Sequence, residues 1–319
     1  MIHSSLIKGI ALTLFSALSY ASLAAVIKHH PEVPLSLLVF AQSLVCLVLI
    51  LPIIIQQNKK TAGALKNKKS LFKTNYLHFH IIRAFFSLGI SYCLFFALKT
   101  IPLVNGVLLA NTSALFTPFL ALLFFRQKIN HKLWPAILIG FVGVAIILNP
   151  SHDGFLRGGA LFALASALCV SSSMLFIRRT TDQDSGLTSA FYYFLLSSII
   201  SGVFLVINQP HLSTSFIRII LVTGLLFFCT QFALTLALQF IDAHIVSTLY
   251  YSNIVFAVLI SVILLHAPTS LLMLGGIVLV CFSGIGCVYI QNKQNKQKKH
   301  NTHHTHHTQH GVTQTYATD

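Results

Sequence analysis

Ala97-Leu98-Lys99-Thr100-Ile101 returns 140 residues later as Ala237-Leu238-Gln239-Phe240-Ile241. The same offset pairs Leu109 with Leu249, and no gap is needed through the following helix. Nearer the start the offset is 150: Ser16-Ala17-Leu18, then Ile27-Lys28, matches Ser166-Ala167-Leu168, then Ile177-Arg178. The basic linker at 56–76 absorbs the ten-residue difference. Repetition on this scale means that the chain is built from two copies of one unit.

Composition says what solvent surrounds the copies. Of 319 residues, 55% are hydrophobic and 8% are charged, against about one quarter charged in soluble domains. Water-facing side chains cannot cover such a molecule, so lipid must. A spanning helix needs roughly 20 apolar residues. Runs near that length lie at about 6–27, 34–55, 77–98, 102–124, 133–148, 157–177, 187–208, 216–240, 243–265 and 270–290. The first is too long for a signal-peptide core, and no small-residue cleavage pattern follows it before Lys28.

Ten runs over two copies give five helices each. Five is odd, so the second copy enters the membrane from the opposite side. The expected fold is an all-α integral membrane protein, its ten transmembrane helices forming two inverted five-helix repeats. The expected divisions are 1–148, 149–290 and a cytoplasmic Lys- and His-rich tail, 291–319, with the low complexity of a disordered segment. Its histidines, His300 to His310, have no acidic or cysteine partners for a closed metal site.

The net charge of +15 invites a nucleic-acid reading, which its distribution removes. With both ends inside, sixteen of the 21 Lys and Arg residues fall in inner segments. Lys28, Lys99, Arg157 and Arg218 fall outside, and Arg83 lies within the third run. This is the positive-inside pattern, and it places both termini in the cytoplasm of a cell with a bacterial-type inner membrane. The six cysteines lie in apolar runs without CxxC spacing, so they read as packing residues.

Family likeness enters through three segments. Gly140-Phe141-Val142-Gly143-Val144 closes the first copy before Asn149-Pro150. Ala97-Leu98-Lys99-Thr100-Ile101-Pro102 leads into the fourth run, and Phe124-Phe125-Arg126-Gln127-Lys128-Ile129 ends it. Together they resemble the EamA-type members of the drug/metabolite transporter superfamily. The likeness covers residues 6–290 and implies a secondary transporter working by alternating access. Gln127 stands where many relatives carry glutamate, and the second copy has His266-Ala267-Pro268 there. The second copy also replaces GxxGV with Gly275-Gly276 and Ser283-Gly284.

Polar groups within a bilayer are costly and mark candidate sites. The six carboxylates, Glu32, Asp153, Asp182, Asp184, Asp242 and Asp319, fall in loops, at helix ends or in the tail. No embedded carboxylate is left to exchange proton for substrate, so facilitated diffusion or exchange is expected. His78, His80 and His244 are the remaining titratable candidates. Asp182 and Asp184 beside Arg178 and Arg179 read as a charge-balanced loop.

Arg83 either snorkels or attracts a substrate carboxylate or phosphate. The fourth run carries Asn105, Asn111, Thr112, Ser113, Thr117 and Pro118, and the ninth carries Ser247, Thr248, Tyr250, Tyr251, Ser252 and Asn253. The 140 offset lays Asn111-Thr112-Ser113 on Tyr251-Ser252-Asn253. Pro118 should kink its helix by freeing the carbonyl of Ala114. Tyr20, Gln42, Tyr92, Ser171 to Ser173, Tyr192, Tyr193 and Gln231 are further polar positions. The substrate-binding set expected is Tyr20, Arg83, Tyr92, Asn111, Ser113, Gln231, Tyr250 and Asn253.

The cargo expected is a small amino acid, carboxylated metabolite or adenosyl compound, such as S-adenosylmethionine, which some relatives carry. The carrier needs no cofactor, metal or nucleic acid, and works as a monomer or homodimer within the bilayer. A membrane-embedded enzyme would need acids and bases clustered at one face. A channel would need a filter or charge ring. The topology has a direct check. In a background lacking the native cysteines, single cysteines at 150–156 should react with impermeant reagent from outside, and those at 180–186 only from inside. The reverse labelling at either loop removes the inverted arrangement.

Overall fold

Without water in the hydrocarbon layer, each backbone group needs a partner within the chain, and helices supply it locally. The computed structural model accordingly contains helices and no strand among the described residues. It describes residues 2–64, 74, 76–126, 131–148, 158–181, 184–209, 213–214, 216–241, 246, 249–266, 271, 274–286, 289–290 and 293.

The helices are α1 (Ile2–His29), α2 (Leu35–Ala64), α3 (Leu77–Thr100), α4 (Leu103–Asn111), α5 (Ser113–Phe125) and α6 (Trp134–Leu148). They continue as α7 (Gly158–Thr181), α8 (Gly186–Asn208), α9 (Phe216–Phe240), α10 (Ser252–Ile263) and α11 (Leu274–Gly286). Six of them, α1, α2, α3, α7, α8 and α9, are long and apolar enough to cross a membrane. The bent pair α4 and α5 is long and apolar enough to count as a seventh when taken as one broken span. The fifth, ninth and tenth apolar runs appear as shorter helices: α6, α10 and α11. The protein is therefore a multi-pass helical membrane protein. The C-terminal tail beyond residue 293 lies outside the described residues, as do Gln127, Asn149-Pro150, Asp153, Asp182, Asp242, His244 and Ala267-Pro268.

The packing couples early helices to late ones. Helix α3 lies along α7, and α1 lies along α9. Helix α2 lies along α8 and also meets α9, while α3 also meets α8. Helices α4 and α5 lean on α7, α10 leans on α1, and α4 meets α10. The shared core runs through Leu23, Ile27, Leu98, Leu108, Leu109 and Ile254, all nearly inaccessible. Phenylalanines, leucines and valines cover the outer surface; Phe85, Val206 and Leu264 are each two-thirds or more exposed. A lipid-facing surface looks like this.

One correction concerns the fourth run. The expected kink at Pro118 is not where the helix breaks. Pro118 lies within α5, and the break falls at Thr112, where α4 and α5 meet at 41°. The side chains of the break explain the position. Asn111 Nδ2 donates to the Val107 carbonyl at 2.7 Å, and Thr112 Oγ1 donates to the Leu109 carbonyl at 2.6 Å. The Leu109 carbonyl also accepts the Thr112 N–H at 3.2 Å, so side-chain donors reinforce the carbonyls of the last turn where the ladder parts.

At one end of the bundle, two lysines close the turns. Lys28 Nζ donates to the Ile101 carbonyl at 2.8 Å. Lys99 Nζ donates to the Pro31 carbonyl at 2.7 Å and also to the Val33 carbonyl. Cations are favoured at the carbonyl-rich C-terminus of a helix, here that of α3.

The paired glycines of α6 serve close helix approach. A methyl at Gly143 would fall 2.9 Å from Val280 Cγ2 and 3.1 Å from the Gly276 carbonyl oxygen. The backbone of α11 cannot yield as a side-chain tip would. Gly143→Leu should therefore destabilise the folded protein by about 1–3 kcal/mol. Its thermal unfolding midpoint in detergent should drop, and an unchanged midpoint would remove the close-packing role.

Candidate functional site

The helix break at Thr112 has a counterpart in the second half. Leu249 and Tyr250 are helical, Tyr251 turns, and α10 begins at Ser252. Both turns carry the same tight backbone bond: Leu115 N–H to the Thr112 carbonyl at 2.8 Å, and Ile254 N–H to the Tyr251 carbonyl at 3.1 Å. The two breaks touch. Asn253 Nδ2 donates to Asn111 Oδ1 at 3.4 Å, and the Tyr251 hydroxyl donates to the Asn111 carbonyl at 3.5 Å. A side chain at Gly284 of α11 would overlap the Tyr251 ring, so glycine there leaves room for the phenol.

Tyrosines flank this junction. The Tyr20 ring on α1 lies 6.0 Å from that of Tyr250, tilted by 48°. Tyr20, Tyr92 and Tyr251 all pack on the central core. Several polar atoms in the interior are shielded and unpaired: Asn253 Oδ1, Ser252 Oγ, Asn105 Oδ1, Tyr92 Oη and Gln42 Nε2. An unpaired buried polar atom costs roughly 1–3 kcal/mol. Unpaired atoms on helices that are already broken have the chemistry of a site that binds a polar ligand by hydrogen bonds.

Of the expected set, the structure brings Asn111 to Asn253 and Tyr20 to Tyr250. Ser113 takes part through its carbonyl, which accepts from Ser171 Oγ at 2.6 Å and so ties the break to α7. Tyr92 meets Phe204 of α8 at a ring separation of 6.0 Å. Gln231 is half-buried on α9, beside Thr230, whose carbonyl accepts from Ser16 Oγ at 2.7 Å. Ser172 bonds back to the Leu168 carbonyl, and Ser173 pairs with Ser87 at 2.9 Å, so both serve packing.

Arg83 makes its contacts with α8 rather than with the broken helices. Its Nη1 donates to Ser189 Oγ, and its guanidinium lies 5.4 Å from the Tyr193 ring centroid. Its Nε is shielded without a partner.

A second correction concerns Asp184. It is not part of a charge-balanced surface loop. It is buried, and its Oδ2 lies 3.0 Å from His80 Nε2. Thr74 Oγ1 donates to the same oxygen at 2.5 Å. Asp184-Ser185-Gly186 has the look of a helix start, and Ser185 does cap α8 by accepting from the Thr188 N–H at 3.1 Å. That local signal says nothing of a partner 104 positions away.

The EamA-like transporter family model matches the chain twice, over residues 7–149 and 157–289. A riboflavin transporter of Vibrio cholerae is 30% identical over 164 residues, which is 51% of this chain and 52% of that protein. The chain thus spans about half the length of the riboflavin transporters it matches. An S-adenosylmethionine uptake transporter of Rickettsia conorii is 24% identical over 229 residues, 70% of this chain and 76% of that protein. A solved crystal structure covers 90% of this chain and 98% of its own at TM-score 0.58 and 16% identity, a likeness of fold alone. With its membrane-spanning helices and two successive family matches, the chain belongs to the EamA-like transporter family.

Proposed function

We propose that the chain is a secondary carrier that moves a small organic metabolite across the inner membrane by alternating access, as an exchanger or facilitator. The observation that carries this reading is the meeting of two broken helices at Asn111, Tyr251 and Asn253. Discontinuous helices that meet inside a bundle recur where transporters bind substrate, because their free backbone and side-chain groups need a polar partner.

The packing supports two exchangeable halves. Take α1–α6 as one half, with α4 and α5 as one element, and α7–α11 as the other. Exchanging the halves turns the α3–α7 contact into the α1–α9 contact, and α3–α8 into α2–α9. It turns α4–α7 into α1–α10, and α2–α8 and α4–α10 into themselves. Contacts of this kind let one half rock against the other around a fixed site. The charge distribution places both termini in the cytoplasm, and therefore the α2–α3 and α7–α8 linkers as well. Every group of the site lies in one chain, so a monomer or homodimer suffices.

The junction offers neutral amides and phenols, with Tyr20 and Tyr250 alongside. These groups suit a flat heteroaromatic ring with hydrogen-bonding edges, such as a flavin or an adenosyl compound. The named relatives point the same way. Tyr92, Ser113 and Gln231 complete the lining. Arg83, with Nε unpaired, would take a carboxylate or phosphate on the cargo as it passes the α3–α8 seam.

Purified protein in liposomes should take up labelled substrate with saturable kinetics from a panel of flavins, nucleosides, adenosyl compounds and amino acids. No flux across that panel would sink the carrier reading. With the substrate found, Asn253→Ala should raise KM roughly 2- to 10-fold, the worth of one or two hydrogen bonds. Arg83→Lys keeps the charge and loses the fork, so transport of an anionic cargo should fall with insertion unchanged. Wild-type activity in either variant removes that residue from the site.

A further inference from the structure

We propose that His80 and Asp184 form a proton-binding latch across the α3–α8 seam: it closes with His80 neutral, and one proton taken up on Nδ1 opens it.

The geometry suits a neutral histidine on a carboxylate: Asp184 Oδ2 accepts from Thr74 Oγ1, and lies 3.0 Å from His80 Nε2, whose N–H can donate to it. The two side chains are 0% and 4% exposed. His80 Nδ1 is buried with no partner. A bare imidazole nitrogen can be tolerated there. An imidazolium would place a second N–H where nothing accepts it. It would also add a second cation to a cluster that already holds Arg83, three residues on along the same helix face. One carboxylate balances one fixed cation, and a further charge has no counter-ion beside it.

The titratable and charged groups around the pair come from several helices. On α3 and its approach, His80 has Arg83, His78 and Tyr76. From α8 come the Tyr192 ring, stacked 5.1 Å away at 21°, and Tyr193, which faces Arg83 and Cys46 of α2. From α7, Phe176 meets the neighbouring Phe79 and Ser173 meets Ser87 further along α3, while the Arg178 and Arg179 side chains lie outside the described residues.

The pair spans the two halves. His80 is in the first turn of α3, and Asp184 immediately precedes the cap of α8. Separating α8 from α3 therefore breaks this bond and admits water. A hydronium ion that enters on a transient separation gives its proton to Nδ1, an N–H bond forming as an O–H bond of the hydronium breaks to leave water; the imidazolium then holds the seam open, and the proton returns to water on the same side before closure. Among the described residues, the equivalent positions of the second half hold no such pair, and the His30–Glu32 pair, at 2.9 Å, stays within one exposed turn of the first half. At the 140 offset, His80 and Arg83 correspond to Ile220 and Thr223, and Thr223 Oγ1 bonds within its own helix to the Ile220 carbonyl at 3.1 Å. A proton on this pair thus biases the gate at which it sits, which in a carrier links transport to pH.

The inference rests on the carrier reading for its place in a cycle, but its test needs no substrate. Hydrogen exchange of the full chain in nanodiscs is measured at about pH 8 and about pH 5.5, either side of the ordinary histidine range. Rates are corrected for intrinsic pH dependence, and peptides of α1 and α9 report whether the fold is intact. In the wild type, exchange at 76–90 and 184–194 should rise about tenfold at the lower pH, as a local opening would. His80→Gln keeps a donor and cannot titrate, so it should stay protected at both values. Asp184→Asn should exchange at the higher pH as the wild type does at the lower. A wild-type pH response in His80→Gln, or wild-type protection in Asp184→Asn, overturns the latch. If His80→Gln loses protection in α1 and α9 as well, Asp184→Asn decides alone. PH-linked opening without flux would leave the latch and remove the carrier; flux without it would do the reverse.

Discussion

A peptide group in hydrocarbon must be hydrogen-bonded by its own chain, and the structure follows from how that demand is met. Unbroken helices meet it at no further cost. Wherever the helix stops within the bundle, something must stand in for the missing donor or acceptor. At Thr112 the stand-ins are the side chains of Asn111 and Thr112 themselves, with Ser171 reaching across from α7. At Tyr251 the turn bond holds the backbone, and the Tyr251 hydroxyl serves the Asn111 carbonyl of the first break. Side-chain donors thus steady the first break, and unpaired polar atoms beside both breaks suit them to ligand binding.

The same reasoning separates the two ends of the seam. At one end Lys28 and Lys99 are held on backbone carbonyls, where a cation completes a helix terminus. At the other, the partners are side chains: His80 on Asp184 and Arg83 on Ser189. Lysine on carbonyl needs no second ionised group and ties turns of one half together. A histidine–carboxylate pair joins the two halves and depends on protonation. The halves share a plan, and the asymmetry between them lies in these few residues.

The membrane class and the helical runs were legible because hydrophobic length and charge asymmetry are properties of the chain alone. The polar pair Asn111 and Asn253 was legible because the internal repeat lays one broken helix on the other. The break itself was misread. Pro118 is the stronger local signal, yet it lies inside α5, whereas Asn111 and Thr112 feed two carbonyls where the helix parts. Asp184 was misread for another reason. A carboxylate two residues before a helix looks like a solvated loop, and nothing near it in sequence announces His80.

The sequence by itself determined that lipid is the solvent, that the helices come in two copies, and which polar groups lie within them, since each depends on composition and spacing along the chain. Only the tertiary structure decided which interruptions touch, that Arg83 faces α8 and not the broken helices, and that Asp184 is buried on His80. Those facts rest on contacts between residues a hundred or more positions apart, and helix packing, rather than periodicity, sets them.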